Sequence, residues 1–306
     1  MDSVDFHQAP FRFAGHETFP LRLLWLKKAY NAVAEDNERR IFQDPSAIAR
    51  FGVGKNMALA MRHWALAADV ITDDGVELKT TPFGRTIFDD QVGLDPYIEH
   101  PSTLWLIHAR LAGSAEITTF YYGFNILNQL SFSREDLAEA LMDASNRRSG
   151  RATQETIKRD VEVFVRSYAP RSSEFGEDNS EPLLAELGLM REIRPSGHFD
   201  FARGSKETLV DGVFVLALIG FWKRWHRHSP TLSVELATYG AGSPGRVFKL
   251  DEDSIVTRLM RIAEITDGVI VWTDTAGLRQ VTLTGHLDSI DEARLIKRSY
   301  MPEPRS

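Results

Sequence analysis

The sequence predicts a mainly helical α+β chain. Small β-hairpins build a winged helix-turn-helix at its N-terminal end and a second winged-helix-like unit at its C-terminal end. Three observations predict this class: two helix-period segments joined by the tight turn "GVGKN", an Asp-Gly hairpin signal directly after them, and a late series of helix, strand, tight turn and strand.

The stretch "FRFAGHETFPLRLLWLKK" (11–28) opens the first helix. Pro20 suits a first helical position, because its missing N–H would be unpaired there anyway, with Thr18 or Phe19 near the cap. Leu21, Leu24, Trp25, Ala29 and Ala32 then share one helical face. Asp44-Pro45 is a second start signal for a short helix that Gly52 ends. After "GVGKN" comes a longer amphipathic helix from about Asn56 to Ala68, with Asn56 as its expected N-cap. "DVIT" and "VELKTT" around "DDG" form the hairpin, or wing, and "TPFGRTIF" a small helix behind it. The middle is helical by pattern: "PSTLWLIHARLA", "SREDLAEALMDA" with Ser133 and Asp136 at capping-box spacing, and "TQETIKRDVEVFVRSYA". "PRSSEFGEDNSE" (170–181) loses all periodicity and is the expected domain joint. Beyond it, "LLAELGLMREI" and "GHFDF" predict a helix and strands, and "VFVLALIGFW" (213–222) a buried helix. "DEDSIVTRLMRIAEI", "GVIVWT" and "LRQVTLT" complete the second winged unit. The expected domains are a winged helix-turn-helix over 1–95, a helical domain over 96–170 and a winged-helix-like α/β domain over 182–306.

The 306 residues are 43% hydrophobic and 26% charged, a globular balance. No cysteine is present, which excludes thiolate metal sites and disulfides. The opening "MDSVDFHQAP" has no basic or apolar character of a signal peptide, and the longest apolar run is about half of the roughly 20 residues that span a bilayer. A cytoplasmic protein without membrane contact is expected. The formal net charge of −7 gives no global attraction to nucleic acid, so any DNA contact must be local. Between Phe11 and Trp64 the balance reverses: Arg12, Arg22, Lys27, Lys28, Arg39, Arg40, Arg50, Lys55 and Arg62 face only Glu17, Glu35, Asp36, Glu38 and Asp44.

Four motifs carry candidate chemistry. "FGVGKN" is not a nucleotide phosphate loop, which needs four residues between its glycines and Ser or Thr after the lysine; no ATP site is expected. At the mouth of a recognition helix, Lys55, Asn56 and free backbone N–H groups suit a DNA phosphate, and the same residues also serve as an ordinary turn and cap. On that helix Arg62 and His63 are groove candidates, Arg62 reading equally as a salt-bridged surface arginine. "GHET" places His16 and Glu17 side by side, either pinning the first helix or meeting a phosphate or divalent ion, which would require irregular backbone around Gly15. "FDDQVGLDPYIEHPS" is rich in carboxylates, including Asp95, and reads as a solvated loop or as a hard-cation site.

The stretches "FRFAGHETFPLRLLWLKK", "FGVGKNMALAMRHW", "TPFGRTIF" with "LDPYIEHPSTLWLIH", and "SPGRVFKLDEDS" together resemble the SspB-type proteins, a family first catalogued as a domain of unknown function. The resemblance covers almost the whole chain. It implies a DNA-nicking partner in bacterial single-stranded DNA phosphorothioation and antiviral defence. Sulfur there replaces a non-bridging phosphate oxygen, with help from a cysteine desulfurase and ATP-using sulfur-transfer proteins.

The leading expectation is therefore a nicking endonuclease dependent on Mg²⁺ or Mn²⁺ that acts on double-stranded DNA. His16, Glu17 and Lys27 are its candidate catalytic residues, and Glu17 and Asp95 its candidate metal ligands. Arg12, Arg22, Lys28, Lys55, Asn56, Arg62 and His63 are its candidate DNA contacts, and a homodimer is one expected assembly. The alternative is a non-catalytic winged-helix adaptor that recruits the sulfur-transfer enzymes to their target.

Overall fold

A computed structural model describes residues 10–148, 150–169, 182–275 and 277–301. The expected joint at 170–181 lies outside the described residues. The N-terminal third comprises α1 (Trp25–Glu35), α2 (Ala47–Phe51), α3 (Lys55–Ala67), β1 (Ile71–Asp73), β2 (Leu78–Thr80) and α4 (Pro82–Phe88). The middle holds α5 (Pro101–Gly113), α6 (Thr118–Tyr121) running into a π-helical turn (Tyr122–Ile126), β3 (Ser131–Phe132), α7 (Arg134–Asn146) and α8 (Gln154–Tyr168). Then follow a 3₁₀ turn (Leu183–Leu187), β4 (Met190–Ile193), β5 (His198–Phe201), α9 (Asp211–Trp225), β6 (Thr231–Ser233), α10 (Val234–Tyr239) and α11 (Pro244–Val247). The chain closes with α12 (Glu252–Met260), α13 (Ile262–Ile265), β7 (Ile270–Thr275), β8 (Leu278–Leu283) and α14 (Glu292–Arg298). The predicted α+β class is the observed one, mostly helix with small antiparallel sheets.

The winged arrangement occurs twice. Near the N-terminus α1 packs on α3, and β1 and β2 pair antiparallel with Ile71 opposite Thr80. Thr81 caps α4 by accepting from Gly84 N–H at 2.8 Å, with Pro82 in the first turn as expected. Near the C-terminus the order α9, β6, α10, α12, β7, β8 closes a three-stranded sheet of order β6-β8-β7, with Leu232 and Trp272 both opposite Val281. A third sheet, β3-β5-β4, joins the middle to the segment after 182. The stretch "LLAELGL" forms a 3₁₀ turn where an α-helix was expected. Buried side chains from all three segments make one connected core, and α9 runs through it with Val213, Phe214, Leu218, Ile219 and Trp222 fully covered. No helix among the described residues is long and apolar enough to cross a membrane.

The first helix departs from expectation. It starts at Trp25, five residues after Pro20, because the Phe19 carbonyl accepts from Trp64 Nε1 (3.0 Å) and the Leu21 carbonyl from Leu183 N (3.2 Å). Those carbonyls are thereby taken from helix bonds, and Leu24 turns into α1 with φ 65°. Residues 11–24 form an irregular strap across the ends of other helices. Asn56 is also not a cap: α3 begins at Lys55 after Gly54, which has no side chain to receive the first N–H groups.

Two site expectations fall here. Lys27 is buried at 6% exposure, donating to the Phe88 carbonyl at 2.6 Å and pairing with Asp90, so it closes the C-terminal end of α4 and is withdrawn from catalysis. Asp95 is equally buried and accepts from Glu99 N (2.8 Å), His100 N (3.0 Å) and the Thr103 hydroxyl. A carboxylate so saturated fastens the turn into α5 and offers nothing to a metal. Asp89 accepts from Gln91 N, Val92 N and the Tyr30 hydroxyl, so the acidic run is a folded loop in which Asp89, Asp90 and Asp95 are separately engaged. Asp95→Ala should lower unfolding free energy by about 2–4 kcal/mol, from three donors left unpaired, the Thr103 hydroxyl buried and the Glu99 and His100 amides partly so. Urea denaturation would read this, with DNA mobility unchanged at matched folded fraction.

Candidate functional site

The strap carries the site. Its backbone enters the left-handed region at Ala14 (φ 69°), Gly15 (φ 96°), Glu17 (φ 48°) and Thr18 (φ 67°), conformations that non-glycine residues hold only when surroundings impose them. The imposing group is Asp160, a carboxylate buried on α8. Its Oδ1 accepts from Ala14 N–H at 2.7 Å and from His16 Nε2 at 2.6 Å. Thr18 N–H donates to His16 Nδ1 at 3.1 Å, so Nδ1 is the acceptor and Nε2 carries the proton given to Asp160. Both imidazole nitrogens are committed. His16 therefore holds the strap, and the expected catalytic role is corrected: a base needs a free lone pair within reach of its proton.

Two clefts flank the strap and share Ala14, Gly15 and His16 as a common wall. The first, about 280 Å³, is completed by Glu17, Thr18, Asn56, Thr156 and Arg159. Asn56 lies in the first turn of α3 and Thr156 in the first turn of α8, so two helix N-termini border one space. The start of α3 has no side-chain cap, which leaves its first N–H groups unpaired, whereas at the start of α8 the Thr156 N–H donates to Thr153 Oγ1 at 3.2 Å. The N–H groups of Gly15, His16 and Glu17 likewise have no protein acceptor among the described residues. Consecutive free N–H groups beside helix N-termini form a concavity that favours an anion. Arg159 adds a guanidinium whose partner Glu155 (3.0 Å) is an exposed helical neighbour, a weak tie. Glu17 is exposed and is the one carboxylate of this lining.

The second cleft, about 480 Å³, is walled by Phe11, Phe13, His63, Trp64 and Phe120, with Arg12, Glu116 and Thr118 at its margin. Trp64 stacks on His16 at 6.3 Å between ring centres, and His63 meets His16 edge-on at 5.8 Å. Burial, then the neighbouring His16, pushes His63 down to about 4. Its ring rests on the bare backbone of Gly15, where a Cβ would come within 2.6 Å of Nδ1.

The other expected contacts scatter. Arg12 pairs with Glu116 at 3.0 Å on the rim of the second cleft. Arg22 lies over the rings of Phe19 and Trp25. Lys28 donates to the Phe51 carbonyl at 2.9 Å and so closes the end of α2. Arg62 is tied to Asp73 on the wing, which also holds Arg39. Lys55 is exposed beside Asn56. The structure thus brings together His16, Glu17 and Asn56, keeps Arg12, His63 and Lys55 close by, and removes Lys27, Lys28, Arg62 and Asp95. Asp160, Thr156 and Arg159 were missed. Asp160 did leave a signal: it falls on the apolar face of its helix, between Ile157 and Phe164, where an acid must find a partner.

Asp160→Ala should cost about 2–4 kcal/mol by orphaning the Ala14 and His16 donors, and Asp160→Asn, which keeps an acceptor, distinctly less; urea unfolding ranks them. His63 gives a pH signature. Its folded value near 4 lies below the ordinary 6.5, so the unfolded chain takes up the proton first on acidification. Its contribution is complete above about pH 6.5 and is lost as pH falls towards 4, at up to about 1.4 kcal/mol per pH unit. His63→Gln should flatten the stability profile in that window.

Residues 13–300 match the family described as "Protein of unknown function (DUF4007)". No curated protein matches the sequence. A crystal structure of SspB superposes with a TM-score of 0.84 at 27% identity, covering 97% of this chain and 90% of that one. A crystal structure of magnesium ion-bound SspB gives 0.82 at 26% identity, covering 96% and 88%. With the match spanning nearly the whole sequence and the same fold in both solved relatives, the chain belongs to this family, that of the SspB-type proteins.

Proposed function

We propose that the chain acts in an SspB-type phosphorothioation system as its DNA-nicking component, and that the 280 Å³ cleft holds the backbone phosphate at which one strand is cut. One observation carries the reading: three uncommitted strap N–H groups, the uncapped N-terminus of α3 and Arg159 belong to residues bordering a single cleft that also contains one exposed carboxylate, Glu17. On a chain of net charge −7 such local positive potential is what captures a polyanion. In phosphodiester hydrolysis negative charge grows on the phosphoryl oxygens, and fixed N–H dipoles with a guanidinium offset it without reorganising.

Mg²⁺ or Mn²⁺ fits this lining in one respect. Mg²⁺ is usually held by one or two carboxylates together with substrate phosphate and water, and Glu17 supplies the carboxylate beside the anion. Such an ion would activate water and stabilise the leaving oxygen. That one solved relative is a magnesium ion-bound SspB supports the assignment. Double-stranded DNA is the substrate in this reading, with a cysteine desulfurase and ATP-using sulfur-transfer proteins as partners.

A second reading, the non-catalytic adaptor, is favoured by a specific observation. Among the described residues no group of three His, Asp or Glu side chains is placed to hold a metal ion, and His16 has no free nitrogen. The two readings separate on supercoiled plasmid incubated with the purified protein and sulfur-transfer partners, in Mg²⁺ or Mn²⁺ with chelator controls. Nicking lost about a hundredfold in Glu17→Gln, with DNA binding retained, supports the enzyme. Arg159→Ala should weaken binding and reduce the salt slope by about one. Intact plasmid under every metal, with DNA still bound, leaves the adaptor; unchanged DNA mobility at low salt overturns both.

A further inference from the structure

The cleft on the other side of the strap differs in chemistry from the one that suits a phosphate. Its lining holds one guanidinium, Arg12, beside Glu116 at 3.0 Å, and a second carboxylate, Asp160, that accepts from the neutral His16 imidazole at 2.6 Å. What remains is the half-buried ring of Phe13, backed by the buried rings of Trp64 and Phe120, and one imidazole, His63, with no hydrogen-bond partner among the described residues. Burial keeps that imidazole neutral near pH 7, so it offers one N–H donor and one lone pair. Gly15 allows the ring to lie against the strap itself, since any side chain there would collide with it.

We propose that the 480 Å³ cleft receives an unstacked nucleobase of the strand whose phosphate is held across the strap, a site that rests on the phosphate reading above. Four features argue for this occupant. The volume lies within the ~300–1,000 Å³ of small-ligand clefts. Two carboxylates, Glu116 and Asp160, against one guanidinium, Arg12, disfavour a second phosphate and suit an uncharged heterocycle. The half-buried Phe13 ring offers a face that stacks on the π-face of any base, and an unpartnered imidazole meets a base edge. Finally, Ala14, Gly15 and His16 belong to both clefts, so the two sites are adjacent, as the base and phosphate of one nucleotide must be. Enzymes that act at a duplex position often extrude a nucleotide in this way, and the pocket recovers part of the unstacking cost.

The test compares two single strands of equal phosphate number, one of mixed sequence and one fully abasic, by fluorescence polarisation with the full chain. A single strand supplies unstacked bases without the cost of opening a duplex. The expected result is binding of the base-bearing strand at least about tenfold tighter. Phe13→Ala should narrow that gap to about twofold or less, whereas Arg159→Ala should weaken both strands alike. Equal binding of the two strands by the wild-type chain, with both still sensitive to Arg159→Ala, overturns the base site and leaves the phosphate site standing. Insensitivity of both strands to Arg159→Ala removes the phosphate site and the base site with it. Because the first comparison varies only the DNA, it holds even where Phe13→Ala does not fold.

Discussion

The Asp160 carboxylate is the contact on which the site depends. One oxygen takes the Ala14 amide and the His16 imidazole together, and so draws an otherwise irregular strap against the first turns of α3 and α8. A buried carboxylate without donors would be costly, and a strap with five left-handed residues would not persist unaided. Each solves the other's problem. The unused N–H groups at 15–17 follow from this geometry, because a chain bent to serve Asp160 and His16 cannot also turn helical.

That arrangement explains a division of labour within a crowded stretch. His16 and Pro20 lie inside, Glu17 outside, and Arg12 and Arg22 against a carboxylate and aromatic rings respectively. The polar chemistry at the start of the chain neither caps the first helix nor forms a catalytic cluster by itself. It borders a cleft only where two distant helices, α3 and α8, bring their N-termini to it. The aromatic cleft beyond is the reverse of the same wall, made of the rings that bury the strap's other side.

Much of the fold was legible in the sequence because its signals are local. The Asp-Gly turn, the small helix in "TPFGRTIF", the Ser133 to Asp136 capping box and the strand pair after residue 269 act over a few residues, and each occurs as expected. The errors arise where distant groups took over backbone partners. Pro20 reads as a helix start, yet the Phe19 and Leu21 carbonyls belong to Trp64 and Leu183. Lys27 and Asp95 carry charges that suit chemistry, yet neighbours brought in by folding saturate them. Arg62 followed its bland reading, held by the wing it was expected to precede.

By itself the sequence determined most of the longer helices and both hairpins, the local reversal of charge near the N-terminus, and the family, all properties written in short-range pattern and composition. Only the tertiary structure decided which polar residues are free to act. Availability depends on whether a donor or acceptor meets a partner, and for His16 that partner lies 144 residues away. Sequence spacing carries no information about such a contact beyond the single acidic residue on the apolar face of α8.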